Sequence, residues 1–152
     1  MKKLLAILLF LSLSSCATQD GLEPGSVIGY MPLHYDSGVR GLLQQYRGKR
    51  VAILFWATWC NFSKPVIEDF NKVAAEHKDD DSIVFIAVSL DDNREEFDTR
   101  IRVKNLNNVI HVYSGNGPGD ETYIRFGSPA VPKSFLIDPE GKIVFRGRNI
   151  KL

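Results

Sequence analysis

The stretch VAILFWATWCNFSKP, Val51–Pro65, decides how the rest of the chain is read. Its first six residues form a continuous apolar run of strand length, which suits a strand buried on both faces. From Pro65 to His77, the residues Val66, Ile67, Phe70, Val73 and Ala74 recur at helical spacing and predict an amphipathic helix. Cys60 therefore falls where a buried strand gives way to a helix. Free N–H groups and the positive end of the macrodipole favour an anion at a helix start, and the thiolate is the nucleophilic form of cysteine. Trp56 and Trp59 are expected to shield one side of the sulfur and leave it accessible. Three residues on, where a redox pair would place its second sulfur, stands Ser63.

Outward from this stretch, strand and helix patterns alternate. Ile83–Val88 (IVFIAV) reads as a second buried strand, and Asn93–Val103 as a charged surface helix with Phe97 and Ile101 on its apolar face. Val109–Tyr113 alternates as a third strand, SGNGPGD is a loop, and Glu121–Phe126 makes one or two helical turns. Lys133–Ile137 and Lys142–Arg146 are strands joined by DPEG, with proline and glycine in turn-compatible places. Upstream, Val27–Tyr35 is extended, and GLLQQYRGKR gives a short helical turn ending at Gly48. The order predicts an α/β domain with a mixed central sheet flanked by helices. Parallel pairs need helical crossovers, whereas the final hairpin must be antiparallel.

The N-terminus stands apart from this pattern. MKKLLAILLFLSLSSC has a basic start, an apolar run over Leu4–Leu13, and small residues before Cys16, as a secretory signal does. That run is too short to span a bilayer, which needs about twenty residues. The ending Leu13-Ser14-Ser15-Cys16 resembles a bacterial lipobox, which implies that Cys16 is acylated and becomes the first mature residue. The rival reading is an ordinary secretory signal with an incidental cysteine. Acyl chains would hold the protein to the membrane, and Ala17 after the cysteine favours the outer membrane, facing the periplasm. Residues 1–16 are thus expected to be a signal, 17–26 a tether, and 27–152 the domain.

Composition agrees with one exported domain. The 152 residues are 44% hydrophobic and 24% charged, enough chain for one core. Net charge is +1, and removing Lys2 and Lys3 with the signal takes it to −1, which gives no reason to expect nucleic acid as a partner. With Cys16 lipidated, Cys60 is the only thiol, and exported domains usually pair their cysteines or omit them. The blander reading of Cys60 is a small buried hydrophobe.

FWATWC after an apolar strand, together with the distant VPKSFLIDPEGKIVFRG, resembles the thioredoxin superfamily, and within it the exported, membrane-anchored TlpA-like branch of thiol–disulfide oxidoreductases. The resemblance covers Val51–Gly147, with Gly25–Arg50 weakly like that branch's N-terminal extension. It implies that Val131-Pro132 carries a cis peptide bond beside the active cysteine and binds the backbone of an extended polypeptide substrate. Trp59 belongs to the same substrate-facing set.

Three features depart from that family. The family's Cys-x-x-Cys is here Cys60-Asn61-Phe62-Ser63, so the first thiolate attack survives but an external thiol must resolve the intermediate. Ser63 has two open readings, a hydroxyl donating to the Cys60 thiolate or an N-cap of the helix that contains Pro65. Pro65 also lies nearer the cysteine than the helix proline usual in the branch. Finally, the chain stops at RGRNIKL, where the family adds a C-terminal helix. The sheet face is then expected to be covered by the N-terminal extension or a partner, or the domain to be less stable.

Other motifs are weak. His34, His77 and His111 lack ligand spacing, so no metal is implied. SGNGPGD lacks the Gly-Lys-Ser/Thr of a phosphate loop, and DDNREEFD does not match a calcium loop, so no cofactor is implied either. The acids of DDNREEFD instead suit the first turn of a helix. The expected function is monothiol disulfide exchange at Cys60, of reductase or isomerase type, in envelope redox homeostasis. Its partners would be cysteine-containing exported proteins or low-molecular-weight thiols. One alternative is a non-catalytic module that holds an exported partner in the groove near Pro132. Another is a thiol peroxidase, against which Thr58 lies two residues before Cys60 rather than three.

Overall fold

The computed structural model describes residues 22–152. The expected signal (1–16), the lipobox Cys16 and the first part of the tether lie outside the described residues. The centre of the fold is β3 (Arg50–Trp56), which every one of its neighbours makes a buried strand. It pairs in parallel with β4 (Ile83–Ser89), which pairs in parallel with β5 (Ile110–Tyr113). On its other side β3 pairs antiparallel with β6 (Lys133–Ile137), and β6 with β7 (Ile143–Gly147). The sheet order is β5-β4-β3-β6-β7, the mixed sheet expected from the sequence.

Strand alternation divides the core in two. Ala52, Leu54 and Trp56 point to the face covered by α1 (Ser63–Glu76) and α2 (Arg94–Lys104), with Ile67, Phe70 and Phe97. Val51, Ile53 and Phe55 point to the opposite face, against Leu33, Leu43, Phe126 and Phe135. Phe126 follows the short helix α3 (Glu121–Arg125), whose N-cap Asp120 accepts a hydrogen bond from Tyr123 N. Burying each such large apolar side chain contributes about 1.5–3 kcal/mol, so both layers matter.

The N-terminal segment builds much of the second layer. Its hairpin of β1 (Pro32–His34) and β2 (Arg40–Leu42) is followed by a 3-10 turn over Leu43–Tyr46. The expected extended stretch Val27–Tyr35 is therefore strand only in part. Isolated bridges tie Val27 to Lys142 and Tyr35 to Val112, so this segment crosses from β7 to β5 over the sheet.

Two local features differ from the expected ones. α1 begins at Ser63, two residues before Pro65, which sits in the first turn where a missing N–H breaks no helical hydrogen bond. The SGNGPGD loop contains a 3-10 turn, Gly117–Gly119. The DPEG turn is as expected: Gly141 takes φ +83° and its N–H closes onto the Asp138 carbonyl at 2.9 Å.

Residues 148–152 form no helix. Ile150 instead packs, partly buried with Phe145, against the α1-side core, and Asn149 Nδ2 donates to Asp69 Oδ2 of α1 at 3.3 Å. The N-terminal segment covers the face opposite α1, so it does not supply this cover. The tail does so in part.

Candidate active site

Cys60 ends the turn between β3 and α1, with its N–H on the Ala57 carbonyl (3.3 Å) and its carbonyl accepting from Ser63 N (2.9 Å). Its side chain is partly exposed and carries a free thiol. The thiol donates to the Val131 carbonyl at 3.7 Å, across 71 positions of sequence. The Val131–Pro132 peptide bond is cis, and Pro132 is buried. The structure thus brings together Cys60, Val131 and Pro132, three of the residues singled out in the sequence.

The two tryptophans do not act as a pair. Trp56 is fully buried in the α1-side core, with its ring 6.2 Å from that of Phe97. The expectation that it shields the sulfur is corrected by strand alternation: Trp56 shares a face with Ala52 and Leu54. Trp59 is 56% exposed beside Cys60, and its indole N–H donates to the Leu90 carbonyl at 3.1 Å. Its apolar body is offered to solvent while its polar tip is fixed to the end of β4.

Ser63 matches neither of its two readings. Its backbone is already helical, so the cap position falls on Phe62, which has helical torsions and makes no side-chain cap. The Ser63 side chain is fully buried, and its hydroxyl has no hydrogen-bond partner among the described residues, Cys60 included. Where a second sulfur would stand there is an inward-turned, unpaired hydroxyl. Phe62, the other residue between, is 67% exposed.

A carboxylate that the sequence reading missed holds this turn in place. Asp91 is 1% exposed, and its Oδ1 accepts from Thr58 N (2.9 Å) and Thr58 Oγ1 (2.7 Å). Its Oδ2 accepts from Ser89 Oγ at 2.6 Å. Buried charge is tolerated only when it is hydrogen-bonded in this way. The carboxylate locks the residue two before Cys60 to the end of β4. A register signal was present: Trp56 lies opposite Ser89, and Thr58 and Asp91 each lie two residues beyond.

The other titratable candidates lie elsewhere. His77 Nδ1 contacts the Val73 carbonyl at 2.9 Å, and His111 is buried with Nε2 donating to the Leu106 carbonyl at 2.6 Å. Burial pushes the His111 imidazole below its ordinary value, against the smaller opposing pull of that carbonyl and of Asp36. Among the described residues no three His, Cys, Asp or Glu groups converge as a metal site would need.

Beside the sulfur runs an open groove of about 300 Å³, lined by Phe62, Ala130, Val131, Pro132, Lys133 and Arg148. A partly exposed thiol thus stands beside a backbone carbonyl and an open groove.

Comparison with known proteins agrees with this geometry. A family model described as thioredoxin-like matches residues 48–143. A thiol-disulfide oxidoreductase ResA of Bacillus thuringiensis subsp. konkukian is 30% identical over 107 residues, covering 67% of this chain and 56% of that protein. The ResA of Bacillus subtilis is 26% identical over 135 residues, covering 84% of this chain and 69% of its own. This chain therefore spans little more than half the length of the first of these relatives. Among solved structures, a thiol-disulfide oxidoreductase from Bacteroides fragilis superposes with TM-score 0.72 at 24% identity, covering 84% of this chain and 92% of that one. At that identity the likeness shows the fold.

Proposed function

The chain belongs to the thioredoxin-like family, and on that premise we propose that Cys60 performs thiol–disulfide exchange as a single thiol. The observation that carries the reading is the sulfur's place: partly exposed, at the start of α1, 3.7 Å from the carbonyl that precedes Pro132. The Cys60 thiolate attacks one sulfur of a partner disulfide. A new S–S bond forms, the old one breaks, and its electron pair leaves with the departing thiolate, which takes up a proton. Ser63 cannot displace the partner, so an external thiol attacks the mixed disulfide and restores Cys60.

The proposed partners are exported polypeptides that contain cysteine, with a low-molecular-weight thiol as the resolving agent. Trp59, Val131 and Pro132 form the substrate-facing surface. The proposal includes export through the segment 1–16, acylation at Cys16 and a tether that holds the domain on the periplasmic side of the envelope. A mature N-terminus other than acylated Cys16, read by mass spectrometry, would overturn the anchor alone.

The exchange itself is tested by mixing the full-length chain with a disulfide-containing unfolded polypeptide. A covalent adduct at Cys60, released by added monothiol and absent in Cys60→Ser, is the expected result. No adduct under any condition sinks the reading. Equal retention of the polypeptide by Cys60→Ser points to the binding module, and peroxide consumption that depends on Cys60 without exchange points to the peroxidase.

A further inference from the structure

The groove beside Cys60 has a charge as well as a shape. Its six lining residues include two basic side chains, Lys133 and Arg148, and no acidic one. The remaining four, Phe62, Ala130, Val131 and Pro132, are apolar. Strand register explains why the cations stand together. Ser134 of β6 lies opposite Gly147 of β7, so the residues just beyond, Lys133 and Arg148, meet at one edge of the sheet, next to Pro132. Ser134 Oγ donates to the Arg148 carbonyl at 3.1 Å and fixes the tail there.

Arg148 is exposed, and its guanidinium is held by neutral groups. It lies 5.3 Å over the Phe62 ring, and one of its nitrogens reaches the Phe62 carbonyl at 3.4 Å. Neither contact neutralises its charge, whereas other arginines of the fold sit against carboxylates, as Arg94 does on Asp98 at 2.8 Å and Arg125 on Glu121. Stacking on Phe62 orients the guanidinium plane and leaves N–H groups that match a carboxylate's geometry. The same stack ties the cation to the Cys60–Ser63 turn, within reach of whatever docks on the sulfur.

We infer that Arg148 makes this groove select cysteine-containing polypeptide segments that carry acidic residues beside the reacting cysteine. The inference rests on the exchange reading above and names its substrate class. A carboxylate a residue or two from the partner's cysteine would pair with Arg148 while an apolar neighbour lies on Phe62. Charge at the rim of such a site acts mainly on encounter, so the selectivity is strongest at low ionic strength.

The test uses the full-length chain and two short peptides of one composition class. Each carries a cysteine as a mixed disulfide with thiopyridine, flanked by glutamates in one peptide and by lysines in the other. Release of thiopyridone beyond that seen with Cys60→Ser gives the rate of attack by Cys60, and neutral dithiodipyridine serves as a reference. The glutamate peptide is expected to react about fivefold faster than the lysine peptide at low salt, an advantage that fades at high salt. Arg148→Glu should reverse or abolish that ratio when each peptide rate is divided by the same variant's rate with dithiodipyridine. Arg148→Gln, which needs no charge reversal on the surface, should fall between. Equal peptide rates in the wild type, or a ratio untouched by either variant, overturn the inference while the exchange reading stands. No reaction with any of the three disulfides overturns both.

Discussion

The starts of α1 and α2 invite comparison, because each follows a buried parallel strand at the same end of the sheet. α2 begins with a side-chain cap and with acids in its first turn. Asn93 Oδ1 accepts from Glu95 N (3.0 Å) and Glu96 N (3.2 Å), acids occupy the first turn, and Asn105 closes the far end with φ +50°. α1 begins with none of them: no side-chain cap, no acid in the first turn, and an exposed Phe62 at the cap position. The better-packed helix is the one whose start is least well finished. α1 buries Val66, Ile67, Phe70 and Ala74, so its stability comes from its apolar face, and its first turn is free to carry chemistry. α2, with only Phe97 fully buried, depends on its caps.

What holds the α1 start is Asp91, and removing that carboxylate should break the comparison most severely. Asp91→Ala leaves Thr58 N and the buried Ser89 hydroxyl without their acceptor, for a loss of about 3 kcal/mol in chemical denaturation. It should also slow adduct formation at Cys60, whereas Asp91→Asn keeps an acceptor for Thr58 and most of the rate. Asp91→Ala with unchanged stability and rate would show that the turn holds itself.

Next in size is an effect of acid on the segment that follows α2. His111 donates from Nε2 to Leu106, and its Nδ1 is buried without a partner among the described residues, so a second proton would sit there without a hydrogen-bond acceptor. Burial lowers its folded pKa below the ordinary value of about 6.5. The unfolded chain therefore takes up the proton first, and the contribution is whole above about pH 6.5 and lost as pH falls below it. His111→Phe should flatten the stability profile between pH 7 and pH 5, roughly the range in which a histidine with this shift titrates. A profile that keeps its slope in this variant would assign the loss to other groups.

The smallest effects sharpen the contrast. Asn93→Ala should cost about 1 kcal/mol by removing the cap of α2. Ser63→Ala, an equally modest truncation at the start of α1, should be neutral or stabilising by up to about 1 kcal/mol, because the lost hydroxyl has no partner. Thermal denaturation of the two variants side by side decides it, and equal losses would mean that Ser63 is a cap after all.

The strand–turn–helix around Cys60, the sheet and the hairpin were legible because β3 and β4 are apolar along nearly all their length and DPEG is an unambiguous turn. Asp91 was not legible, because it begins the run DDNREEFD, whose other acids are exposed or half-buried and whose composition reads as solvated helix start. Trp56 was misplaced although period-two alternation was enough to turn it inward. The hairpin of β1 and β2, with strands of three residues, has too little periodicity to be seen alone and is made by its contacts with the sheet. Arg148 gave no signal by itself; only the register of β6 on β7 places it by the groove.

The 71 positions between Cys60 and Val131 also set an order in time. A chain made from its N-terminus presents the nucleophile well before the wall that will stand beside it. At synthesis rates of about 5–20 residues per second, that interval is roughly 4–14 s. During it Cys60 stands on an unfinished chain without the wall that Val131 and Pro132 supply. That wall leads directly into β6, which joins the antiparallel half of the sheet to β3, so the groove and the finished sheet arise together.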